Sequence, residues 1–153
     1  TYGALSATAL IGQAGSRVQF GARAELERFT GIEMQQPAGK TVTGGTRVSV
    51  GPAVAVDITE QLKLIGFAGW TFGNETVKLG ADAYEFKMDN AKHAGLELAY
   101  RLTGNILATA GIKHTWGQAI EQSMGGKNSF GDTVARAGLS IMIGDEPKTR
   151  GDR

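Results

Sequence analysis

The sequence predicts an all-β chain folded as an antiparallel up-and-down β-barrel of about eight strands, of which seven are counted. Three observations predict it. Apolar and polar residues alternate in run after run, the period of two that places successive side chains on opposite faces of a strand. The runs last about 10 to 13 residues, longer than the roughly 5–6 usual in soluble sheets. Finally, the breaks are alternately short, at 14–16, 59–61 and 103–105, and long, at about 30–45, 73–91 and 117–132. Successive strands reverse direction, so the short turns gather at one end and the long loops at the other.

In order along the chain, Leu5, Ala7, Ala9 and Ile11 alternate with Ser6, Thr8 and Gly12, and Ala14-Gly15-Ser16 reads as a tight turn. Next, Val18, Phe20, Ala22, Ala24 and Leu26 face one way while Arg17, Gln19, Arg23, Glu25 and Glu27 face the other. The stretch from Phe29 to about Gly45 holds Pro37, Gly39, Gly44 and Gly45 without a period and is expected to be a loop. Val48, Val50, Val54, Val56 and Ile58 rebuild the apolar face opposite Arg47, Ser49 and Asp57, with Pro52 imposing a distorted or edge-like position.

After Thr59-Glu60-Gln61, the residues Leu62, Leu64, Ala68, Trp70 and Phe72 continue the pattern, although Ile65 and Phe67 fall on the opposite parity. Tyr84, Phe86 and Met88 keep the even parity of Leu96 and Leu98, so this hairpin is expected to project past the apolar zone to a tip at Gly80-Ala81-Asp82. The clearest hairpin is His93–Trp116. Ala94, Leu96, Leu98, Tyr100 and Leu102, then Ile106, Ala108, Ala110 and Ile112, oppose His93, Glu97, Arg101, Thr109, Lys113 and Thr115. The last strand sets Ala135, Ala137, Leu139, Ile141 and Ile143 against Arg136, Gly138 and Ser140. One barrel domain over 1–144 and a charged tail over 145–153 are expected.

Composition narrows the function classes. With 16 basic and 15 acidic residues in 153, there is no electrostatic case for nucleic acid. Without cysteine there are no disulfides and no thiolate chemistry. No run approaches the roughly 20 apolar residues of a membrane helix, but alternating membrane strands dilute their hydropathy by half.

Alternation alone leaves two barrels open: a soluble one, apolar inside, and a membrane one, apolar outside. The asymmetric connections and the strand length favour the second. So do Trp70 and Trp116, which close their strands on the apolar parity, where interfacial aromatics sit with Phe72 and Tyr100. The ionic parity would then form a lumen network of Arg17, Arg23, Glu25, Glu27, Arg47, Asp57, Lys63, Glu97, Arg101, Lys113 and Arg136. Such ions must pair with one another, which argues against an open pore.

The phrases VDITEQLKLIGFAGWTFG, YRLTGNILATAGIKHTW and RAGLSIMIG resemble the strand–turn–strand segments of small bacterial outer-membrane β-barrels, the class of the outer-membrane protein A and X types and autotransporter barrels. The resemblance covers most of the chain in pattern and contains no invariant motif. It implies a barrel in the bacterial outer membrane, with short turns in the periplasm and long loops outside. Two departures stand out. The last strand ends at Ile143-Gly144 before a polar tail instead of on an aromatic residue, and seven strands is an odd number. A rising strand ahead of Tyr2 would make the count even, which fits a chain that starts at Thr1 without a leader.

No nucleophile–base or metal spacing stands out. Gly44-Gly45-Thr46 and Gly125-Gly126-Lys127 form no phosphate loop, and neither histidine lies in a zinc motif. His114 merits comparison with outer-membrane lipid A esterases, whose pattern has serine two residues after the histidine. Here that residue is Trp116, with Thr115, Ser123 and Glu121 nearby, so the expectation is no enzyme and no cofactor. Function is expected in the long loops 30–45, 73–90 and 117–132. Met34, Tyr84, Phe86, Met88, Met124 and Phe130 offer contact area there, and Lys40, Lys87 and Lys127 offer charge. The expected partners are membrane lipid or lipopolysaccharide, or another envelope protein. The alternatives are a soluble or secreted barrel holding a small apolar ligand, and a fragment or subunit of a larger envelope translocator.

Overall fold

A computed structural model describes residues 2–12, 16–36, 39–79 and 81–143, with the side chains of 32–43 and 79 outside the description. The expected tail 145–153 and most of the turn at 14–16 therefore lie outside the described residues. Seven strands, β1 (Tyr2–Ile11), β2 (Val18–Gln36), β3 (Gly39–Asp57), β4 (Leu62–Leu79), β5 (Asp82–Thr103), β6 (Ile106–Glu121) and β7 (Lys127–Ile141), form one antiparallel sheet in sequence order. The sheet curls into a half-barrel, and no ladder joins β1 to β7 among the described residues.

The curl follows from the register. Along the ladder from Arg136 the successive partners are Gly111, Glu97, Ile65, Ala55 and Gln19. Yet the Arg136 guanidinium bonds Glu25, six residues further along β2 than Gln19. That stagger is what tilted strands need in order to close on themselves. Gly95 makes room for the Phe67 ring inside the curl: a Cβ there would collide with that ring and sit 2.7 Å from the Ile112 carbonyl oxygen.

The expected parity holds through the wall. Leu5, Phe20, Val50, Leu96, Ile112 and Leu139 lie on its exposed outer face, while Arg23, Glu25, Ser49, Glu97 and Lys113 are buried inside the curl. Pro52 interrupts the β3–β4 ladder between Val50 and Ala53, as a residue without an N–H must. At the short end Thr59 holds its turn, its Oγ1 accepting from the N–H groups of Gln61 and Leu62.

The long loops are corrected. Residues 30–45 are strand on either side of 37–38, residues 117–132 are strand except for 122–126, and the β4–β5 hairpin runs to residue 79 and resumes at Asp82. Ladder hydrogen bonds need no hydrophobic period, so these segments pair although their side-chain pattern is broken. Bulges break the register at Phe29/Ile32, Thr71/Asn74 and Asp89/Lys92, all just beyond the apolar wall. Gly31 and Asn90 take positive φ there, 64° and 48°. The bulge at Asn90 also reverses the parity expected for Tyr84, Phe86 and Met88: Met88 is turned inward and buried, on the face opposite to Leu96.

Candidate functional site

Among the described residues the inside of the curl gathers the buried charged and hydrogen-bonding side chains, and it is arranged in three levels. Near the short turns, Ala55, Ile65 and Ala99 pack with Leu10 and Leu107. On the rim below them, Lys63 bonds the Gln19 side chain at 2.7 Å and Asp57 at 3.1 Å.

The middle level is ionic. Arg23 from β2 forks onto both carboxylate oxygens of Glu97 on β5, at 3.2 and 2.9 Å. Lys113 from β6 reaches across to Glu25 at 2.7 Å and Glu27 at 2.8 Å, and gives its third donor to Ser49 Oγ at 3.0 Å. Arg136 from β7 meets Glu25 at 2.6 Å, and the Tyr2 hydroxyl donates to Glu27 at 2.6 Å. Three cations therefore meet three carboxylates; the Lys113 and Glu25 side chains are 1% and 2% exposed, and those of Glu97 and Arg136 10% and 14%. Phe67 lies among them with the Arg23 and Arg136 guanidinium groups 4.5 and 5.5 Å from its ring centre. This explains its odd parity: the ring gives the guanidinium faces a partner that hydrogen bonds along their edges do not. A hydroxyl chain runs from Ser49 to Thr71 (3.0 Å) to His93 Nδ1 (3.1 Å).

At the long end Arg47 closes the mouth. It pairs with Glu75 through Nε at 2.8 Å and with Asp132 at 2.5 Å, between the rings of Phe29 and Phe130.

Most of the expected lumen residues converge here: Arg23, Glu25, Glu27, Arg47, Glu97, Lys113 and Arg136, with Asp57 and Lys63 on the lower rim. Arg101 is half-buried on the same face, whereas Arg17 is exposed at the turn before β2. Glu75, Asp132, Tyr2 and Thr71, which the alternation did not single out, complete the network together with Ser49, His93 and Phe67. Ser49, Thr71 and His93 share the ionic parity of their strands, which is the signal in the sequence that puts them inside.

Trp70, Phe72 and Trp116 lie exposed on the outer wall at its long-end margin. Tyr100 marks the opposite margin, donating to Gln61 Oε1 at 3.2 Å. Of the expected loop contacts, Met124 is exposed, Tyr84 and Phe86 are half-buried, and the side chain of Met34 lies outside the described residues. Met88 is buried on the inner face, and Phe130 is half-buried with its ring 6.0 Å from the Arg47 guanidinium. Among the lysines, Lys87 is exposed, Lys127 faces Asp89 at 3.5 Å, and the side chain of Lys40 lies outside the described residues.

Two arrangements resemble catalysis and do not assemble it. Ser49 beside Lys113 has the composition of a nucleophile and its base, but the lysine's donors are spent on Glu25, Glu27 and Ser49 itself, and all are buried. His114 is on the outer wall, stacked on Trp116 at 5.6 Å with Nδ1 2.8 Å from Thr133 Oγ1. Thr115 is on the opposite face, and Ser123 donates to Glu121, so among the described residues no acid lines up behind the imidazole. Compared with protein-family models, curated proteins and solved structures, the chain finds no match.

Proposed function

We propose that this chain is an outer-membrane β-barrel whose apolar wall faces lipid. Its filled interior is a structural strut, and its projecting hairpins carry a surface or envelope-assembly contact. One observation carries the reading: the distribution of side chains is inverted relative to a soluble protein. Leu96 and Leu98 are 53% and 45% exposed, together with Leu5, Phe20, Ile112, Leu139 and Ile141, while six charged groups pair inside. In water, contiguous apolar patches rarely exceed a few hundred Å². A hydrocarbon surround removes that cost and makes buried, paired ions the natural filling of the core.

The dimensions support it. From Leu62 to Phe72, about eleven residues at roughly 3.3 Å each, tilted by roughly 40°, give a wall about 28 Å tall, against an apolar band of about 25 Å in such barrels. Trp70 and Trp116 at one margin and Tyr100 at the other lie where amphipathic rings bridge lipid and water. With ionic, apolar and aromatic groups crossing the interior at three levels, the proposed role is neither a diffusion pore nor an enzyme.

The test is partition. Expressed in an envelope-bearing host, the protein is expected in the outer-membrane fraction and to require detergent for release. Recovery as a folded monomer in the aqueous fraction, without detergent, would overturn the proposal. The runner-up, a soluble barrel around an apolar ligand, requires an apolar interior; the middle level of the described lumen is ionic.

A further inference from the structure

We infer that the long-end margin of the outer wall is a docking surface for the phosphate groups of the lipid around it, held by Arg28, Lys87, Lys92 and Lys127. The inference rests on the proposal that the wall faces lipid, and it names the headgroup chemistry met at one end.

The register brings these residues together. Arg28 pairs with Thr46, Thr46 with Asn74, Asn74 with Lys87, Lys87 with Ile120 and Ile120 with Lys127, so one row crosses the sheet from β2 to β7. Side chains paired in this way share a face. Phe29 and Glu121, the chain neighbours of Arg28 and Ile120, are buried inside, so the row faces outward. Its polar members, Thr46 and Asn74 included, are exposed. One step toward the apolar wall, Lys92 stands between Trp70 and Trp116, its partners on β4 and β6. The lysine is exposed, as are the indoles, at 52% and 40%. Lys87 and Lys92 have opposite parity in the sequence and reach the same face because the bulge at Asn90 lies between them.

Charge is uneven between the two ends. Among the described residues Arg28, Lys87 and Lys92 have no ion pair, and Lys127 meets Asp89 at 3.5 Å. The other acid near the row is Glu85, exposed and two residues beyond Lys87 toward the hairpin tip. At the short-turn end the exposed charges among the described residues are Arg17 and Glu60, one of each sign and both in connections. The excess of cations therefore sits at the margin that also carries the tryptophans. Each such cation near an anionic lipid surface favours association about fivefold.

The spacing identifies the occupant. With neighbouring strands about 4.8 Å apart, Arg28 and Lys87 are separated by about 14 Å and Lys87 and Lys127 by about 10 Å. No single small anion spans such a row. A free phosphate would meet open, scattered cations and no enclosing site. Lipid headgroups, side by side in a leaflet and held at this level by their own tails, meet the row along its whole length. The lysine and arginine stems can lie on the apolar wall while their charged ends reach the phosphates. Vesicles offered from solution meet the projecting hairpins first; lipid in the same bilayer reaches this belt from the side.

The two tryptophans of the chain, both beside Lys92, report on this margin. The full chain is reconstituted in phosphatidylcholine vesicles that contain either phosphatidylcholine or phosphatidic acid with brominated acyl chains. Quenching of tryptophan fluorescence then gives the relative affinity of the two lipids for the wall. The expected result is a preference of about tenfold for phosphatidic acid at low salt, lost in molar salt. Replacing Arg28→Gln, Lys87→Gln and Lys92→Gln together is expected to cut the preference to about twofold or less, while Arg28→Lys, Lys87→Arg and Lys92→Arg keep it. Quenching by brominated phosphatidylcholine with no preference for phosphatidic acid would overturn the belt and leave the lipid-facing wall standing. Quenching by neither lipid would overturn the wall and the belt with it. A full preference in the glutamine variant, or a preference abolished by inorganic phosphate equimolar with the phosphatidic acid, would also overturn the inference.

Discussion

Replacing Lys113 by methionine tests the interior directly. The side chain keeps its length and fills the same space, but the cation between Glu25 and Glu27 is gone. Glu25 still has Arg136 at 2.6 Å and Arg23 at 3.4 Å. Among the described residues Glu27 is left with the Tyr2 hydroxyl alone, and it is 2% exposed. Breaking one partner of a buried ion pair costs about 3–5 kcal/mol, because the remaining charge is stranded away from water. Lys113→Met is expected to lose stability in that range, measured by equilibrium urea unfolding in detergent with Trp70 and Trp116 fluorescence as the signal. Adding Glu27→Gln removes the stranded charge, so the double variant is expected to recover about 2 kcal/mol. A loss below about 0.5 kcal/mol for Lys113→Met, or no recovery in the double variant, would refute the reasoning.

Arg23→Lys keeps the charge but loses the two-pronged grip on Glu97 and the stack on Phe67; a loss of about 1–3 kcal/mol in the same assay is expected. Gly95→Ala drives a methyl into the Phe67 ring and should cost about 1–3 kcal/mol, with Phe67→Leu restoring part of it. In planar bilayers the wild-type chain should show no steady conductance, whereas a stable ohmic channel would contradict a filled interior. Cutting the β4–β5 hairpin back to the Thr76–Glu85 pair should leave unfolding unchanged and abolish retention on lipopolysaccharide-containing vesicles; unchanged retention would move the contact off the hairpins.

Much of the wall was legible in the sequence because parity is a local property. Leu96, Glu97 and Leu98 state their faces within three residues, and the register of a neighbouring strand cannot slip without turning every side chain over. What was not legible is long-range or backbone-made. That Arg47 would find Glu75 and Asp132, or Lys113 find Glu25, depends on stagger around the curl, which no local pattern records. Pro37 and the glycines of 39–45 read as a loop, yet their backbone continues the ladder on either side of 37–38. The reversal at Asn90, which sent Met88 inward, comes from a single positive φ in a residue type that tolerates it. Phe67 breaks the alternation of its strand, and only the two guanidinium groups that flank its ring give that break a reason.

The most direct test of the central claim is which medium the outer wall touches. The chain has no cysteine, so single spin labels at Leu96, Leu98, Ile112 and Lys87 are unambiguous. With the protein reconstituted in lipid vesicles, labels at Leu96, Leu98 and Ile112 should collide freely with dissolved oxygen and be shielded from a water-soluble nickel chelate, and Lys87 should show the reverse. If Leu96 and Leu98 met the nickel chelate as readily as Lys87, the lipid-facing wall would be wrong; if they were shielded from both reagents, protein and not lipid would cover it.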